Sequence, residues 1–301
     1  MAKTVLILGG SGKIGRHSTK AFEKAGWTVR QYDRKSGDMM LAARGVDVIV
    51  NGLNPPNYHN WVEIIPAITR QVIDAAKFSG ATVIIPGNVY NFGVEAGPWD
   101  EATPQVPCSK KGRIRVEMEE AYRRSGVQTI ILRAGNFLDP ESDDDIGSMV
   151  LFKSIGKDKL SYPGDPNALQ AYCYLPDWAR AAVGLAEMRR ALGAFTDVPL
   201  GGLNHTAVEL AAAVEGLTGR RIRITGFPWI VMQVTRPFWE LAREMLDMRY
   251  LWSHPHGLSD ERLKALLPGF ETTPLPQLLA ELLPDQVHPN QPVPAARRVA
   301  A

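Results

Sequence analysis

The sequence predicts an α/β protein with a doubly wound parallel sheet and a smaller C-terminal lobe. Two observations in the first half of the chain carry this prediction. Short apolar runs alternate with helical stretches of about 10–20 residues, and a turn of closely spaced glycines follows the first run. Alternation of this kind favours right-handed crossovers between parallel strands.

The strands of this sheet are expected where short runs are rich in Val and Ile, as in strands buried on both faces. These runs lie at residues 4–8, 27–32, 46–50, 81–85 and 129–132. Helices are expected where apolar residues recur at helical spacing. They cover residues 14–25, 61–78 and 110–124.

The second half of the chain is less regular. Residues 139–169 are rich in Asp, Gly and Pro, which predicts a loop with at most one short helix. Asp177 is expected to be the N-cap of a helix over 178–188. A helix over 206–217, a strand at 221–224 and a long apolar stretch at 229–252, interrupted by Pro237, are expected after it. The long stretch would form core of the second lobe or a dimer face.

These elements predict two lobes and a tail. Residues 1–137 and about 172–200 would form the cofactor-binding domain, and residues 138–171 and 201–284 a substrate-binding lobe. The Pro- and Ala-rich segment 285–301 is expected to be a disordered tail.

Composition excludes several classes of protein. A net charge of +2 is too small for a nucleic-acid or membrane-surface field, so we expect a small-molecule partner. No apolar run approaches the roughly 20 residues that a membrane span requires. Cys108 and Cys173 form no metal or redox spacing, no metal site is predicted, and the expected compartment is the cytoplasm. A homodimer remains open.

The most specific local signal is the glycine turn between the first strand and the first helix. Glycines at 9, 12 and 15 let the chain turn tightly, let a pyrophosphate approach the backbone and let the helix pack closely on the strand. This pattern in this position predicts a Rossmann domain that binds NAD or NADP. The predicted cofactor contacts are Gly9, Ser11, Gly12, Lys13, Ile14 and Gly15.

Further cofactor contacts are expected after the second and third strands. Asp33 could accept hydrogen bonds from the adenosine ribose, which favours NAD. Arg34 follows at once and could hold the 2′-phosphate of NADP, so the choice stays open. Gly52 and Leu53, just after the third strand, are also assigned to the cofactor.

Several motifs together resemble the extended and atypical short-chain dehydrogenase/reductase superfamily, which includes NAD-dependent epimerases and dehydratases. Residues 9–15 resemble its TGxxGxxG motif, with Leu8 where Thr is usual. Val89-Tyr90 resembles its VYG element, and residues 133–140 resemble its RxxNxYGP motif, with Leu138 and Asp139 in place of Tyr and Gly. The resemblance covers roughly residues 3–200.

The chain departs from this superfamily in its catalytic residues. The expected Ser or Thr would fall near residues 86–88, which contain no hydroxyl side chain, and no tyrosine is followed by a lysine four positions later. At the positions that match the YxxxK pair of the superfamily, this chain has Lys111 and Arg115, four residues apart on one helix face. The resemblance implies that Lys111 is the proton donor and that Arg115 holds the nicotinamide ribose. The alternative is that Lys111 and Arg115 lie on a solvated basic face of the helix and have no role in the site.

Polar residues at the strand ends are the remaining candidates for the site. Asn88 and Tyr90 follow the fourth strand, at the sheet edge where open α/β sheets bind their ligands. We assign Asn88 to the cofactor and Tyr90 to catalysis, although Tyr90 could serve packing alone. Asn136 is expected to contact the substrate.

Two functions follow from this combination. The first is an NAD(P)-dependent oxidoreductase or epimerase/dehydratase-like enzyme that acts on a small carbonyl or alcohol, sugar-derived or apolar. The second is a non-catalytic NAD(P)-sensing regulatory protein, which the missing YxxxK pair would suit. The fold does not decide between them.

Overall fold

The computed structural model describes residues 3–33, 35, 37–55, 59–142, 144–283 and 285. Six parallel strands form the central sheet, in the order β2-β1-β3-β4-β5-β9. Their bounds are β1 Thr4–Leu8, β2 Thr28–Tyr32, β3 Val48–Asn51, β4 Thr82–Gly87, β5 Thr129–Arg133 and β9 Phe195–Pro199. The strand order reverses between β1 and β3, and this point is where doubly wound sheets bind ligands.

Helices cover both faces of the sheet. One face carries α1 (Lys13–Lys24) and α5 (Leu175–Glu187), and the other carries α2 (Met39–Ala42), α3 (Trp61–Ser79) and α4 (Lys110–Ser125). Alternate residues of β1 supply both cores. Val5 and Ile7 pack towards α1 and α5, and Leu6 and Leu8 pack towards the opposite helices. The predicted fold class is therefore confirmed.

The later part of the chain adds two small sheets and five further helices. One sheet contains β6 (Asn136–Leu138), β8 (Gln170–Tyr174) and β10 (Asn204–His205), and the other pairs β7 (Lys159–Tyr162) with β11 (Arg223–Gly226). The helices are α6 Ala207–Thr218, α7 Trp229–Thr235, α8 Glu240–Asp247, α9 Glu261–Leu266 and α10 Leu275–Leu282. The division into lobes stays a prediction, and the tail 285–301 lies outside the described residues except for position 285.

The predicted elements of the first half begin and end within two residues of their predicted bounds, and the short helix α2 was not predicted. The second half shows three differences. Residues 139–169 contain strand β7 and a helical turn at Gly147–Leu151. The stretch 229–252 is broken into α7 and α8 around Pro237, whose ring cannot continue a helix. The strands β6, β8, β9 and β10 and the helices α9 and α10 were not predicted.

The predicted N-cap role of Asp177 is wrong. Helix α5 begins at Leu175, because Pro176 is well suited to the first turn of a helix. The carboxylate of Asp177 is fully buried and instead accepts hydrogen bonds from the backbone N–H of Thr273 (2.6 Å) and from its hydroxyl (2.8 Å). It therefore ties α5 to the segment that precedes α10.

Candidate cofactor and substrate site

The glycine turn brings the backbone after β1 against the loop after β3. Gly9 has φ +78°, and a Cβ there would lie 3.0 Å from the carbonyl O of Gly52. A Cβ on Gly15 would lie 2.2 Å from the carbonyl O of Gly9. These positions therefore require glycine for close backbone approach, as the sequence predicted for a diphosphate cradle.

The N-terminus of α1 opens onto this turn. Gly12 is its N-cap, no side chain caps the helix, and its first turn holds no acidic residue. The first backbone N–H groups of a helix have no partner within the helix, and the helix dipole adds partial positive charge there. This terminus of a 12-residue helix therefore suits the phosphates of a dinucleotide.

Two basic side chains of α1 hold the segment that follows β6. The ammonium of Lys13 donates to the carbonyl O of Asp144 (2.6 Å) and lies 3.2 Å from its carboxylate. Arg16 donates to the carbonyl O of Ser11 and to Oδ2 of Asp139, both at 3.0 Å. Lys13 thus lies at the start of α1 in an ion pair with Asp144, which anchors the segment after β6 to this helix.

Asp139 replaces a glycine of the related motif and has a defined role. It is buried and its Oδ1 lies 2.8 Å from Nε2 of His17, which is also buried on α1. Burial opposes ionisation of Asp139, but hydrogen bonds with His17 and from the backbone N–H of Glu141, with the charge of Arg16, hold its pKa below the usual value. This pair fixes the chain after β6 against the cofactor helix.

The residues assigned to the adenosine side lie as follows. Asp33 is exposed at the end of β2, and its Oδ1 accepts a hydrogen bond from the backbone N–H of Lys35 (2.9 Å). Arg34 lies outside the described residues. The backbone N–H of Leu53 is held by Oδ1 of Asn51 (3.2 Å), which shapes the loop after β3.

Asn88 and Tyr90 lie at the carboxyl end of β4, as predicted. Oδ1 of Asn88 accepts a hydrogen bond from the backbone N–H of Tyr90 (3.0 Å), which begins a short helical turn at Tyr90–Phe92. Tyr90 is half-buried. The side-chain oxygen of Asn88 therefore shapes the turn that presents Tyr90.

A buried charge cluster supports this turn from beneath. Arg133, at the end of β5, donates to both carboxylate oxygens of Glu119, to Asp197 and to the carbonyl O of Asn88 (2.7 Å). Burial opposes the charge on Arg133, but the carboxylates of Glu119 and Asp197 together raise its pKa above the ordinary value. Arg133, the first residue of the segment that resembles RxxNxYGP, thus acts on the site through its hydrogen bond to the backbone of Asn88.

Helix α4 carries Lys111 and Arg115 on one buried face, so the alternative of a solvated basic face is wrong. Nη2 of Arg115 donates to Oδ1 of Asn54 (2.9 Å) in the loop after β3, and its guanidinium lies 4.5 Å from the centroid of the Trp61 ring. Arg115 thus lies beside the chain segment that follows Gly52.

Lys111 forms an ion pair that the sequence gave no means to predict. Its ammonium, only 2% exposed, contacts the carboxylate of Glu244 on α8 and lies 3.7 Å from Asp247. Glu244 lies 133 residues away along the chain, on a helix with no recognisable motif. The pair joins the predicted proton donor to helix α8.

A cavity of about 80 Å³ lies beside Tyr90, which follows β4, and Glu244 on α8. Its polar lining comes from distant parts of the chain: Tyr90 and Asn136 follow strands of the central sheet, and Gln170, Glu244 and His256 come from later segments. The remaining lining is apolar: Val89, Ile146, Met245, Met248, Leu251 and Trp252. Tyr90, Asn136 and the partner of Lys111 thus meet at one cavity.

Sequence reasoning missed two of these lining residues. Neither Gln170 nor His256 belongs to a motif that the sequence shows. His254 and His256 stack near Trp99, and His256 is 2% exposed. The described residues contain no cluster of three His, Cys, Asp or Glu side chains suited to a metal ion.

The geometry agrees with a comparison against protein families. The model of the NAD dependent epimerase/dehydratase family matches residues 5–201, which is more than half of the chain. The chain belongs to this family. The match confirms the resemblance drawn from the motifs and, at the level of the family, the predicted NAD-dependent enzyme class.

Solved structures share the same fold over most of their length. UDP-glucose 4-epimerase from Brucella ovis in complex with NAD is 20% identical, with a TM-score of 0.71 over 94% of this chain and 98% of that chain. UDP-glucuronic acid 4-epimerase from Bacillus cereus, in complex with UDP-glucuronic acid and NAD, is 16% identical, with a TM-score of 0.71 over 93% and 98%.

A dTDP-glucose 4,6-dehydratase from Bacillus anthracis in complex with NAD is 15% identical, with a TM-score of 0.70 over 94% of this chain and 96% of that chain. At such identities the likeness concerns the fold. A search of curated proteins found no match. Within the described residues, no helix has the length and apolar character needed to cross a membrane.

Proposed function

We propose that this family member binds NAD in the cradle of β1 and α1 and interconverts an alcohol and a carbonyl on a small molecule held in the cavity beside Tyr90. One observation carries the proposal. The glycine cradle, Tyr90, Asn136 and the Lys111–Glu244 pair follow different elements, yet all lie about the carboxyl edge of one parallel sheet. Ligands of doubly wound sheets bind at this edge.

The residues of the cradle fit a nicotinamide dinucleotide. Side chains at Gly9 and Gly15 would fill the space between the turn and the loop after β3, and the N-terminus of α1 has N–H groups for the diphosphate. Asp33 would accept hydrogen bonds from the adenosine ribose, which favours NAD over NADP. Arg115 would hold the nicotinamide ribose. The bound cofactor would supply hydride transfer.

The protein would supply orientation and a proton. Lys111, whose Nζ contacts the carboxylate of Glu244, would give a proton from Nζ to a substrate oxygen when a carbonyl is reduced. Tyr90, which lines the cavity, would orient the same oxygen. Asn136 would contact the rest of the substrate.

The experiment measures formation or loss of reduced cofactor with panels of cyclic alcohols, their ketones and UDP-sugars. We expect Lys111→Ala and Tyr90→Phe each to lower kcat by about 10²-fold or more, the scale of proton-transfer catalysis. Lys110→Ala removes an exposed neighbouring charge and serves as the matched control. Absence of turnover with every substrate would contradict the enzymatic part of the proposal.

A second candidate is a protein that senses NAD without turnover. The burial of Lys111 in an ion pair with Glu244 favours it, because a lysine held in this way can be structural. Under this reading NAD binds, Lys111→Ala lowers thermal stability, and no substrate changes the redox state of bound cofactor. A single turnover of bound NAD with any alcohol would exclude it.

We also propose a cytoplasmic location and a small-molecule substrate as the only obligatory partner. Both cysteines are free thiols, as in a reducing compartment. The homodimer stays a prediction. Ile230 and Val234 on α7 and the nearby Phe238 are exposed apolar side chains that it would cover. Sedimentation of wild type against Phe238→Ser tests it.

A further inference from the structure

Gln170 presents a buried acceptor at the cavity described above. The residue is fully buried at the start of β8, and its Nε2 donates to the carbonyl oxygens of Leu251 (3.0 Å) and His254 (3.1 Å). These two bonds fix the amide, because the flipped amide would set its oxygen against two carbonyls. The buried Oε1 has no hydrogen-bond donor among the described residues.

His256 presents a second buried acceptor at the same cavity. Its ring stacks on Trp99, with centroids 4.8 Å apart, and Nδ1 lies 2.9 Å from the carbonyl O of His254. A carbonyl only accepts, so Nδ1 carries the proton and Nε2 carries the lone pair. Burial lowers the pKa of His256 to about 4, so the ring is neutral at pH 7. Within the described residues, nothing donates to Nε2.

Two such acceptors on residues that line one cavity indicate a ligand that donates. A buried polar group without a partner is rare in native structures, because burial removes its hydrogen bonds to water. Gln170 and His256 come from segments 86 residues apart, and each is held rigidly by its other polar atom. A hydroxyl or amide N–H of a bound molecule would satisfy both atoms.

The charge of the cavity decides which kind of donor enters. Of its described lining residues, none is lysine or arginine, and the single carboxylate, Glu244, contacts Lys111. A phosphate there would lack a counter-charge and would face the lone pairs of Oε1 and Nε2. Met245, Met248 and Trp252 add an apolar wall that suits the carbon face of a ring.

We propose that this cavity binds an uncharged ring that carries at least two hydroxyl groups, which donate to Oε1 of Gln170 and Nε2 of His256, and that it excludes phosphate groups. The inference rests on the proposed function, since it takes the cavity as the substrate side of the cofactor site. It specifies the substrate class as a neutral polyhydroxy compound and names two specificity-determining residues.

The test titrates the full-length protein by calorimetry with four six-membered rings. Cyclohexanol carries one donor, cis-cyclohexane-1,2-diol two and inositol six, and inositol monophosphate adds an anion. We expect the diol to bind about fivefold or more tightly than cyclohexanol, the effect of one added neutral hydrogen bond. We expect the monophosphate to bind more weakly than inositol. Equal affinities for cyclohexanol and the diol, or tighter binding of the phosphate, would overturn the proposal.

Variants locate the binding residues. His256→Phe keeps the ring that stacks on Trp99 and removes the acceptor, so diol and inositol should bind about fivefold to tenfold more weakly. His254→Phe is the matched control, because its Nε2 contacts the carbonyl O of Glu95 and it does not line the cavity. Unchanged inositol affinity in His256→Phe contradicts the inference.

Gln170→Met tests the other acceptor but also removes two buried hydrogen bonds, so its folding is checked by circular dichroism. An independent readout is the ¹⁵N chemical shift of Nε2 of His256, which should move when inositol is added to wild type and move less with cyclohexanol, whose single hydroxyl can donate to only one of the two acceptors. No shift with inositol would count against the proposal. NAD affinity is measured separately, because its loss would refute the proposed function. The differences in affinity among the four ring compounds alone decide this inference.

Discussion

Replacing Gly15 with alanine tests whether the turn and the first helix must touch. The added Cβ would lie 2.2 Å from the carbonyl O of Gly9 and 2.6 Å from Cα of Gly10, against 3.4–4 Å for ordinary contact. Both neighbours are backbone, so the helix and the turn must separate by more than 1 Å. Overpacking of this kind costs about 1–3 kcal/mol.

Helix propensity works in the opposite direction and sets the net effect. Alanine in a helix is about 1 kcal/mol more favourable than glycine. The expected net destabilisation of Gly15→Ala is therefore about 0–2 kcal/mol. Gly216 is the matched control, because it also lies within a helix, α6, and a Cβ there meets nothing within 4 Å. Gly216→Ala should be neutral or more stable by up to about 1 kcal/mol.

The assay combines thermal melting with NAD binding by calorimetry. Separation of the helix from the turn moves the N–H groups away from the diphosphate, so Gly15→Ala should weaken NAD binding about tenfold or more, which is about 1.4 kcal/mol. Gly216→Ala should bind NAD like wild type. If Gly15→Ala melted no lower than Gly216→Ala and bound NAD within about twofold of wild type, the reasoning would be refuted.

Three further perturbations test the surrounding charges. Lys111→Met should lower the free energy of unfolding by about 1–3 kcal/mol, measured by urea denaturation, because it leaves the carboxylate of Glu244 unpaired; an unchanged value would contradict the ion pair. Arg133→Met should lower the free energy of unfolding by about 3–5 kcal/mol, because two buried carboxylates lose their partner. Arg124→Met, on the surface, should lower it by about 1 kcal/mol or less. Equal losses in the two variants would contradict the buried cluster. The lowered pKa of His256, about 4, means that its neutral form is favoured in the folded state. The contribution of His256 to the free energy of unfolding is complete above the unfolded pKa of about 6.5. It is lost as the pH falls towards 4, by up to about 3 kcal/mol. Wild type should therefore lose more stability than His256→Phe over this range. If the stability of wild type and of His256→Phe depended on pH in the same way, the burial of His256 would be contradicted.

The cofactor cradle could be predicted because its requirements are local. Gly9, Gly12 and Gly15 lie between one strand and one helix, and the turn that joins them is set by backbone sterics that the sequence shows directly. Lys111 and Arg115 share a buried face for the same reason, because their spacing of four residues fixes it within one helix.

The substrate side could not be predicted, because it depends on contacts between distant segments. Lys111 meets Glu244 across 133 residues, and Gln170 meets Leu251 across 81. Neither partner belongs to a motif. The pair His254 and His256 was visible in the sequence, but burial against Trp99 depends on tertiary packing that no local pattern reports.

The central claim is that the backbone at the start of α1 holds the diphosphate of NAD, and titration of nucleotide-free protein with NAD by calorimetry tests it most directly. We predict saturable binding at one site per chain, with NADP bound more weakly because Asp33 repels the 2′-phosphate. If neither NAD nor NADP produced heat at millimolar concentration, and neither raised the melting temperature, the claim would be contradicted.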